Sequence, residues 1–510
     1  MIISLSVLVI TIIVSGTYAL YKTQLSKNIG VNTTTHGLAY YINYVKGTDI
    51  TAATLNPSTS YEGGASSDIE FWKKDDSYDI YGKIELTVNT IGTNLSNSPA
   101  LKYAVVNNGN VLKEGSLKGT TSGSKVTILK NLYLEQTKQI YTVYVWLDNS
   151  EELGNISNES LSISVDCTAS LQKEPTAADT IISLYTSAAK VTATNNSITY
   201  NTVPSVSLMN DRLGGTTTDL DGGNIRYYGA NPNNYIYFNC SDYSNQTSST
   251  CETWRIIGVF DGKLKLIKSE SIGAYSWDNK DTSTGAENDT GKNDWTTARL
   301  MKLLNPSNYY KVDSNDNNLG QSLYYNSASG KCYSGQNNAT VDCDFTSTGI
   351  KNAETRNMIA ETTYNLGGWN SNSVYSNQIY EYERGTTVYS GRPTTWKGKI
   401  ALAYPSDYGY AADLNQCKDK TLYDYDNRTC TSNNWMKAII TNNGSNTGWL
   451  LTPRSGSSSN AWYVNSGGFV SRDSIAYVAY GAVPVLSLSS ELGIESGGDG
   501  SSSKPYKLSA

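Results

Sequence analysis

The stretch WRIIGVFDGKLKLIK, residues 254–268, decides the fold of the C-terminal half of this chain. Two apolar runs, 254–260 and 263–268, flank the dipeptide Asp261-Gly262. An Asp-Gly pair between two such runs is a strong signal for a two-residue β-hairpin turn. The segment therefore predicts a pair of antiparallel strands.

Two helices are predicted in the same half of the chain. The first begins after Asp294, and the second runs from Ala353 to Tyr364 and ends before Gly367-Gly368. In the first, apolar residues recur near helical spacing at Trp295, Ala298, Met301 and Leu304. Strands and helices are therefore both predicted in a second domain, residues 224–508.

Several sequence blocks between residues 220 and 508 occur in a fixed order. They are IRYYGANPNNYIYFN, WRIIGVF, NDWTTARLMKLLN, SLYYNSASGKCY, YEYERGTT, GKIALAYPSDYGYA, GWLLTPRS, GAVPVLSLSS and SGGDGSSSKPYKL. Together they resemble a family of Gram-positive surface-protein domains of unassigned function with a C-type-lectin-like fold related to the formylglycine-generating enzymes. The resemblance implies an α+β, C-type-lectin-like domain whose strands support long irregular loops, with a binding face near the C-terminal segment.

Residues 30–170 contain short runs of alternating apolar and polar residues separated by turn residues. This period-two pattern predicts antiparallel strands in an all-β, immunoglobulin-like sandwich of two sheets. By the same alternation we expect Tyr144 and Trp146 to face the core. The predicted strands are 79–88, 100–106, 140–147 and 161–165.

The same region shows a second, looser resemblance. An apolar segment ending in GTYALY, a polar Ser/Thr segment, and the strands YTVYVWLDN and LSISVDCTAS follow one another. This order resembles the camelysin/TasA-like secreted sandwich domains of Gram-positive bacteria and their cell-wall-less relatives. Camelysin has been described as a metalloprotease, but this chain has no HExxH motif and a single histidine, His36, so that activity is not expected here.

The first 21 residues form a segment of their own. The run from Ile2 to Tyr21 carries no charge, and at about 1.5 Å per residue it is long enough to cross most of a hydrocarbon core. It is predicted to be either a transmembrane anchor or a signal peptide, since Thr17-Tyr18-Ala19 offers the small residues of a cleavage site. Between the two domains, residues 171–223 predict a short helix and a linker.

Six of the seven cysteines fall into three local pairs, Cys240/Cys251, Cys332/Cys343 and Cys417/Cys430, and Cys167 is left over. No CxxC motif and no nearby histidine supplies the usual cytosolic reason for such pairs, so three disulfides in an oxidising compartment are predicted. The alternative is six unrelated thiols. With the apolar N-terminus, the pairs predict an extracellular protein, anchored or secreted. The two resemblances imply that its source is a Gram-positive or related bacterium.

Composition and motifs argue against several function classes. A net charge of -6 and a pI near 5.1 give no electrostatic footprint for nucleic acid. An enzyme is not expected, because Asp407 with Asp424, and Glu381 with Glu383, have the appearance of solvated loop acids rather than catalytic pairs.

The sequence gives no strong indication of a cofactor, and only weak support for a structural calcium ion. Oxygen donors at Asp313, Asn315 and Asp316 alternate as they do in calcium loops, but the closing Glu of an EF-hand is missing. Runs of Asn, Asp and Gly more often make turns, because their side chains satisfy their own backbone.

The predicted ligand-binding segment is residues 454–480, RSGSSSNAWYVNSGGFVSRDSIAYVAY. Rigid aromatic and Arg side chains supply contact area, and Asn adapts its hydrogen bonds. The alternative is two ordinary half-exposed strands joined by Gly467-Gly468, with Trp462 and Val464, or Tyr477 and Ala479, facing the core. The candidate contact residues are Arg454, Asn460, Trp462, Tyr463, Asn465, Arg472, Tyr477 and Tyr480.

These features favour a surface-displayed binding or adhesion protein, in which a sandwich spacer separates the membrane segment from a lectin-like domain. The partner is a protein or glycan ligand at the cell surface, and the membrane is contacted through the N-terminal segment. Related lectin-like domains are in some cases genetically diversified, and the residue types of 454–480 are compatible with that. A structural matrix or fibre subunit is the alternative, because the sandwich alone would fit it.

Overall fold

The computed structural model describes residues 41–51, 55–151, 153–156, 158–212, 223–279, 290–311, 319–442 and 444–509, together with the backbone of a short strand at Thr23–Leu25. The predicted membrane segment, His36 and the calcium-loop residues Asp313, Asn315 and Asp316 lie outside these residues. Within them, no helix is both long and apolar enough to cross a membrane. The chain is a β-rich, multi-domain protein with two compact units, Met1–Glu174 and Pro175–Ala510.

The N-terminal unit is a sandwich of two mainly antiparallel sheets. One sheet has the order β1-β11-β6-β9 with β3 beside β11, and the other has the order β2-β5-β10-β7-β8 with β4 beside β10. The bounds are β1 (Thr23–Leu25), β2 (Ile42–Val45), β3 (Ile50–Thr51), β4 (Pro57–Ser58), β5 (Ala65–Lys73), β6 (Tyr81–Ile91), β7 (Leu101–Asn107), β8 (Asn110–Ser116), β9 (Lys125–Tyr133), β10 (Ile140–Asp148) and β11 (Leu161–Ser170), with a short helix α1 (Thr93–Asn97).

Apolar residues that alternate along the strands build the core of this unit. Leu86 of β6 and Val143 of β10 point into one shared core, and Cys167 of β11 is a buried free thiol within it. The predicted strands of this unit are confirmed. The expectation for Trp146 is only partly right: its ring is buried, but it packs with Ala104 and Val106 in a separate small cluster outside the shared core.

The C-terminal unit contains short helices and two larger sheets. Its helices are α2 (Ala177–Thr186), α3 (Arg299–Leu304), α4 (Ala353–Met358), α5 (Ser376–Arg384), α6 (Pro405–Tyr410), α7 (Arg428–Ser432) and α8 (Met436–Thr441). Its strands are β12 (Val191–Asn195), β13 (Ile198–Val203), β14 (Leu208–Asn210), β15 (Ile225–Tyr227), β16 (Tyr235–Phe238), β17 (Glu252–Phe260), β18 (Lys263–Lys268), β19 (Ala274–Ser276), β20 (Ser329–Tyr333), β21 (Thr340–Asp344), β22 (Thr362–Asn365), β23 (Thr395–Gly398), β24 (Ile400–Ala401), β25 (Gly448–Pro453), β26 (Asn460–Val464), β27 (Val470–Ile475), β28 (Ala479–Gly481), β29 (Val485–Ser487), β30 (Gly493–Ile494) and β31 (Leu508–Ser509).

The largest sheet has the order β12-β13-β14-β15-β17-β18-β29-β24, with β16 beside β17. The predicted hairpin is confirmed at its centre, where β17 and β18 pair with Phe260 opposite Lys263. Asp261 and Gly262 have φ values of 49° and 71°, as the two-residue turn requires. A second sheet has the order β19-β28-β25-β26-β27, and β20-β21, β22-β23 and β30-β31 form two-stranded ribbons.

The prediction of a linker over 171–223 is wrong for most of that range. Helix α2 begins with a capping box between Thr176 and Asp179 and buries Ile181 in the main core. The residues that follow are β12–β14, which extend the largest sheet. These strands are rich in Thr and Asn, so their sequence lacks the apolar alternation that marks a strand.

Both predicted helices are shorter than expected. Asp294 caps a turn through Thr296, and the helix itself, α3, begins only at Arg299. The second helix, α4, ends at Met358, and residues 362–365 form β22, which pairs with β23. β-branched Thr362 and Thr363 favour this extended conformation.

The three predicted disulfides are confirmed, and they are Cys240–Cys251, Cys332–Cys343 and Cys417–Cys430. Each closes a short local loop within the C-terminal unit. In the chain-entropy account, a loop of this size contributes about 3 kcal/mol to stability. The disulfides therefore help to hold the irregular segments between the helices and strands in place.

Candidate functional site

A cleft of about 250 Å³ opens beside the central hairpin of the C-terminal unit. Strand β18, strand β22 and helix α5 supply its walls. The lining residues are Asn224, Phe260, Asp261, Lys265, Thr362, Thr363, Tyr364, Asn365, Tyr380, Arg384, Tyr404 and Ser487. They combine aromatic rings with two cations, hydroxyl groups and amides, which is the mixture found in small-molecule sites.

Helix α5 positions Arg384 at the mouth of the cleft. Tyr380 and Arg384 are four residues apart on one helix face, and the Arg384 guanidinium lies 3.4 Å from the centroid of the Tyr380 ring. Arg384 is the last residue of the helix, where a cation interacts favourably with the helix dipole. The stack fixes the guanidinium while its side chain stays 27% exposed.

A buried ion network forms the floor behind the cleft. Asp407 accepts hydrogen bonds from Arg226 at 3.0 Å and from Lys265, and Asp211 accepts one from Arg226 at 2.6 Å. Burial alone would raise the pKa of Asp407, but Lys265 and Arg226 outweigh it, and the pKa is lowered. Burial lowers the pKa of Lys265, against the effect of Asp407. Lys265 is therefore held by its carboxylate partner.

A second buried acid, Glu383, borders Arg384. One carboxylate oxygen accepts the backbone N–H of Ser406 at 2.9 Å, and the other lies 3.3 Å from Nη1 of Arg384. Burial raises the pKa of Glu383 to about 7, although Arg384 and Ser406 act in the opposite direction. The interpretation of Asp407 and Glu383 as solvated loop acids is therefore wrong, whereas Asp424 and Glu381 are exposed.

Several polar groups of the cleft have no hydrogen-bond partner in the described part of the chain. On Arg384, Nη1 donates to the carbonyl oxygen of Tyr380 and to Glu383, while Nε and Nη2 make no hydrogen bond to the described residues. The hydroxyl of Thr362 is buried and also lacks a partner among them. The unpaired donors of Arg384 are open to a ligand, because that side chain is 27% exposed, whereas the Thr362 oxygen has almost no accessible surface.

The predicted ligand-binding segment lies on the other large sheet, in β26, β27 and the residues around them. Trp462 is fully buried in a core cluster with Val464 and Val470, so its assignment as a contact residue is wrong. The indole packs there because both faces of strand β26 are covered by core residues. Ala461 belongs to the main core, and Trp462 belongs to a second cluster. The alternation of the sequence showed only that one side was apolar.

The remaining candidates are half-buried, and most have intramolecular partners. Arg454 donates to Asp473 at 2.6 Å, and Arg472 also pairs with Asp473, so the two guanidinium groups share one carboxylate. Tyr463 and Tyr480 lie with their ring centroids 5.4 Å apart. The structure therefore brings the candidates together as two pairs.

The other three candidates have separate local roles. The side-chain oxygen of Asn465 accepts two backbone N–H groups of its own turn, from Gly468 and Phe469. The backbone carbonyl of Asn460 accepts from Asn293 at 2.8 Å. Tyr477 accepts a hydrogen bond from Gln336 at 2.6 Å.

Sequence reasoning missed the cleft. Its residues come from six separate stretches between positions 224 and 487, so no local pattern marks them. The single local signal was the spacing of Tyr380 and Arg384 within YEYERG, four residues apart at the end of a helix. Among the described residues, no group of three or more His, Cys, Asp and Glu side chains is arranged to hold a metal ion.

Comparison with known proteins gives no family. No family model matches the chain, and no curated protein matches it. Among solved structures, the receptor-binding domain of botulinum neurotoxin mosaic serotype C/D is 12% identical over 50% of this chain and 74% of that chain, with a TM-score of 0.15. The capsid of the virus PBCV-1 is 11% identical over 42% of this chain and 60% of that chain, with a TM-score of 0.12. Likeness at this level defines no shared fold.

Proposed function

We propose that this protein is a non-catalytic binding protein of the extracellular cell surface, and that its C-terminal unit carries the recognition site. The chain would be anchored or secreted through residues 1–21, with the sandwich as an immunoglobulin-like spacer and a C-type-lectin-like recognition domain after it. The three disulfides support an extracellular location, since such bonds persist in oxidising compartments.

The observation that carries the proposal is the cleft beside Arg384. A fixed guanidinium edge lacks partners within the described residues, and aromatic rings surround it. Polar groups that are preorganised but unpaired give a ligand its orientation, and rings supply contact area at low entropic cost.

Binding to an array of immobilised glycans and peptides tests the proposal. We expect the purified extracellular chain to bind a subset of the array, and Arg384→Met to lose that binding while keeping the melting temperature. Arg428→Met is the matched control, because Arg428 is exposed on α7 and does not line the cleft. A chain that binds nothing on the array contradicts the proposed function, and equal losses in the two variants contradict the site.

One observation favours the alternative of a matrix or fibre subunit. Strand β8 lies at the edge of its sheet, and Val111 and Leu112 on it are 43% and 39% exposed. An exposed apolar edge strand can pair with another chain. If this edge drives assembly, Val111→Lys should shift the purified protein from a large species to a monomer in light scattering, and a monomeric wild type would contradict the alternative.

A further inference from the structure

The free edge of Arg384 has the shape of a fork. Nη1 is occupied by the Tyr380 carbonyl and Glu383, so the unpaired donors are Nε and Nη2, which lie side by side on one edge of the planar group. Two parallel N–H donors in this arrangement match the two oxygens of a carboxylate or phosphate. The stack on Tyr380 prevents the group from turning away, which reduces the entropy cost of binding.

The cleft offers at most one positive charge to a ligand. Lys265 lines the cleft, but its ammonium is paired with Asp407, and Arg226 behind it is shared between Asp211 and Asp407. Nη1 of Arg384 is paired with Glu383 at 3.3 Å, which leaves the Nε and Nη2 donors for a ligand, and Asp261 also lines the cleft. This balance suits an anion with one negative charge better than a doubly charged phosphate, for which several cations or backbone N–H groups are normally provided.

The rest of the cleft suits a hydroxylated ring. The rings of Tyr364, Tyr380 and Tyr404 form much of the wall, and the hydroxyl of Thr362 lacks a partner among the described residues. Asn365 and Ser487 add side chains with no hydrogen bond to the described part of the chain. The volume of about 250 Å³ is near the lower end of small-molecule sites, about 300–1,000 Å³, so it holds one ring rather than a chain of them.

We infer that the cleft binds an acidic monosaccharide unit, with the sugar carboxylate on Nε and Nη2 of Arg384 and a ring hydroxyl on the side-chain amide of Asn365. This inference rests on the proposed binding function and names its ligand class. The carboxylate binds the two parallel donors of Arg384, and the apolar face of the sugar packs on the tyrosine rings. No calcium ion is required for this mode of recognition.

Isothermal titration calorimetry with glucuronate, glucose and inorganic phosphate tests the inference on the wild-type extracellular chain. We expect glucuronate to bind, and glucose to bind about 10- to 100-fold more weakly, because it lacks the charge-assisted pair. Phosphate is expected to bind more weakly than glucuronate. Equal binding of glucose and glucuronate, or tighter binding of phosphate, overturns the inference and leaves the proposed binding function intact.

Variants locate the binding. Arg384→Lys keeps the positive charge but has no fork, so we expect glucuronate affinity to fall about tenfold or more, while Arg428→Met has no effect. Asn365→Leu is close in size and removes the side-chain amide, so it should weaken the binding of glucuronate and glucose by similar factors. Glucuronate binding that survives both cleft variants, or the absence of binding by any of the three probes, overturns the inference. The array experiment separately decides whether the protein binds ligands at all.

Discussion

The ribbon formed by residues 454–480 and the cleft beside Arg384 contain the same kinds of residue, but they differ in whether their Arg side chains have hydrogen-bond partners. In the ribbon, Arg454 and Arg472 converge on Asp473. In the cleft, the Nε and Nη2 edge of Arg384 makes no hydrogen bond to the described residues. An Arg-rich and Tyr-rich composition therefore does not identify a binding site, and the proposal of a binding site in the cleft rests instead on unpaired donors in a concave surface.

The largest expected effect separates packing from recognition in the ribbon. Trp462→Ala should lower the free energy of unfolding by about 3–5 kcal/mol, because the indole is fully buried and its removal leaves a cavity. Chemical denaturation followed by fluorescence of the remaining tryptophans measures the loss. A change below about 1 kcal/mol would mean that the indole is not a core residue, and would restore it as a candidate contact.

The free energy of unfolding should fall almost as much when the ion network behind the cleft loses a charge. Asp407→Asn leaves Lys265 and Arg226 buried without their shared carboxylate, and we expect a loss of about 3–5 kcal/mol in the free energy of unfolding. Asp424→Asn is the matched control, since Asp424 is exposed, and it should change stability by less than about 0.5 kcal/mol. Equal effects of the two substitutions would show that the network does not support the cleft.

Local signals explain which parts of this comparison the sequence could predict. The Asp261-Gly262 hairpin and the close cysteine pairs were predictable because a few neighbouring residues specify each of them. Strands β12–β14 were not, because their Thr and Asn residues carry no apolar alternation. The cleft was not predictable either, since Lys265, Thr362 and Arg384 meet only through tertiary packing. For residues 454–480 the sequence left two interpretations open, and the one that places Trp462 and Val464 in the core is correct for these two residues.

Glu383 gives the next prediction, a pH dependence. Its pKa is about 7 in the folded protein against 4.5 for the free side chain, so the folded state holds the proton to higher pH than the unfolded state does. The free energy of unfolding should therefore fall as the pH rises from about 4.5 to about 7, by on the order of 3 kcal/mol. Denaturation at about pH 5 and about pH 8 measures the difference.

Glu383→Gln is the variant that isolates this group, because its side chain stays neutral and keeps the shape. It should remove a large part of the pH dependence and be more stable than the wild type at about pH 8. Some dependence should remain in that variant, because burial also raises the pKa of Asp278 to about 7. An unchanged pH profile in Glu383→Gln would contradict the assignment of the raised pKa to this carboxyl group.

The smallest expected effect is that of removing the two Arg side chains that pair with Asp473, and it compares the ribbon with the cleft directly. Asp473 is 48% exposed on its side chain, and pairs of this kind contribute about 0–1 kcal/mol. Replacing both Arg454 and Arg472 with Met should therefore change stability by less than about 1 kcal/mol. Because neither residue lines the cleft, glucuronate affinity should stay within about twofold of wild type. A loss of ligand binding in this double variant, with binding retained in Arg384→Met, would reverse the comparison and make the ribbon the recognition site.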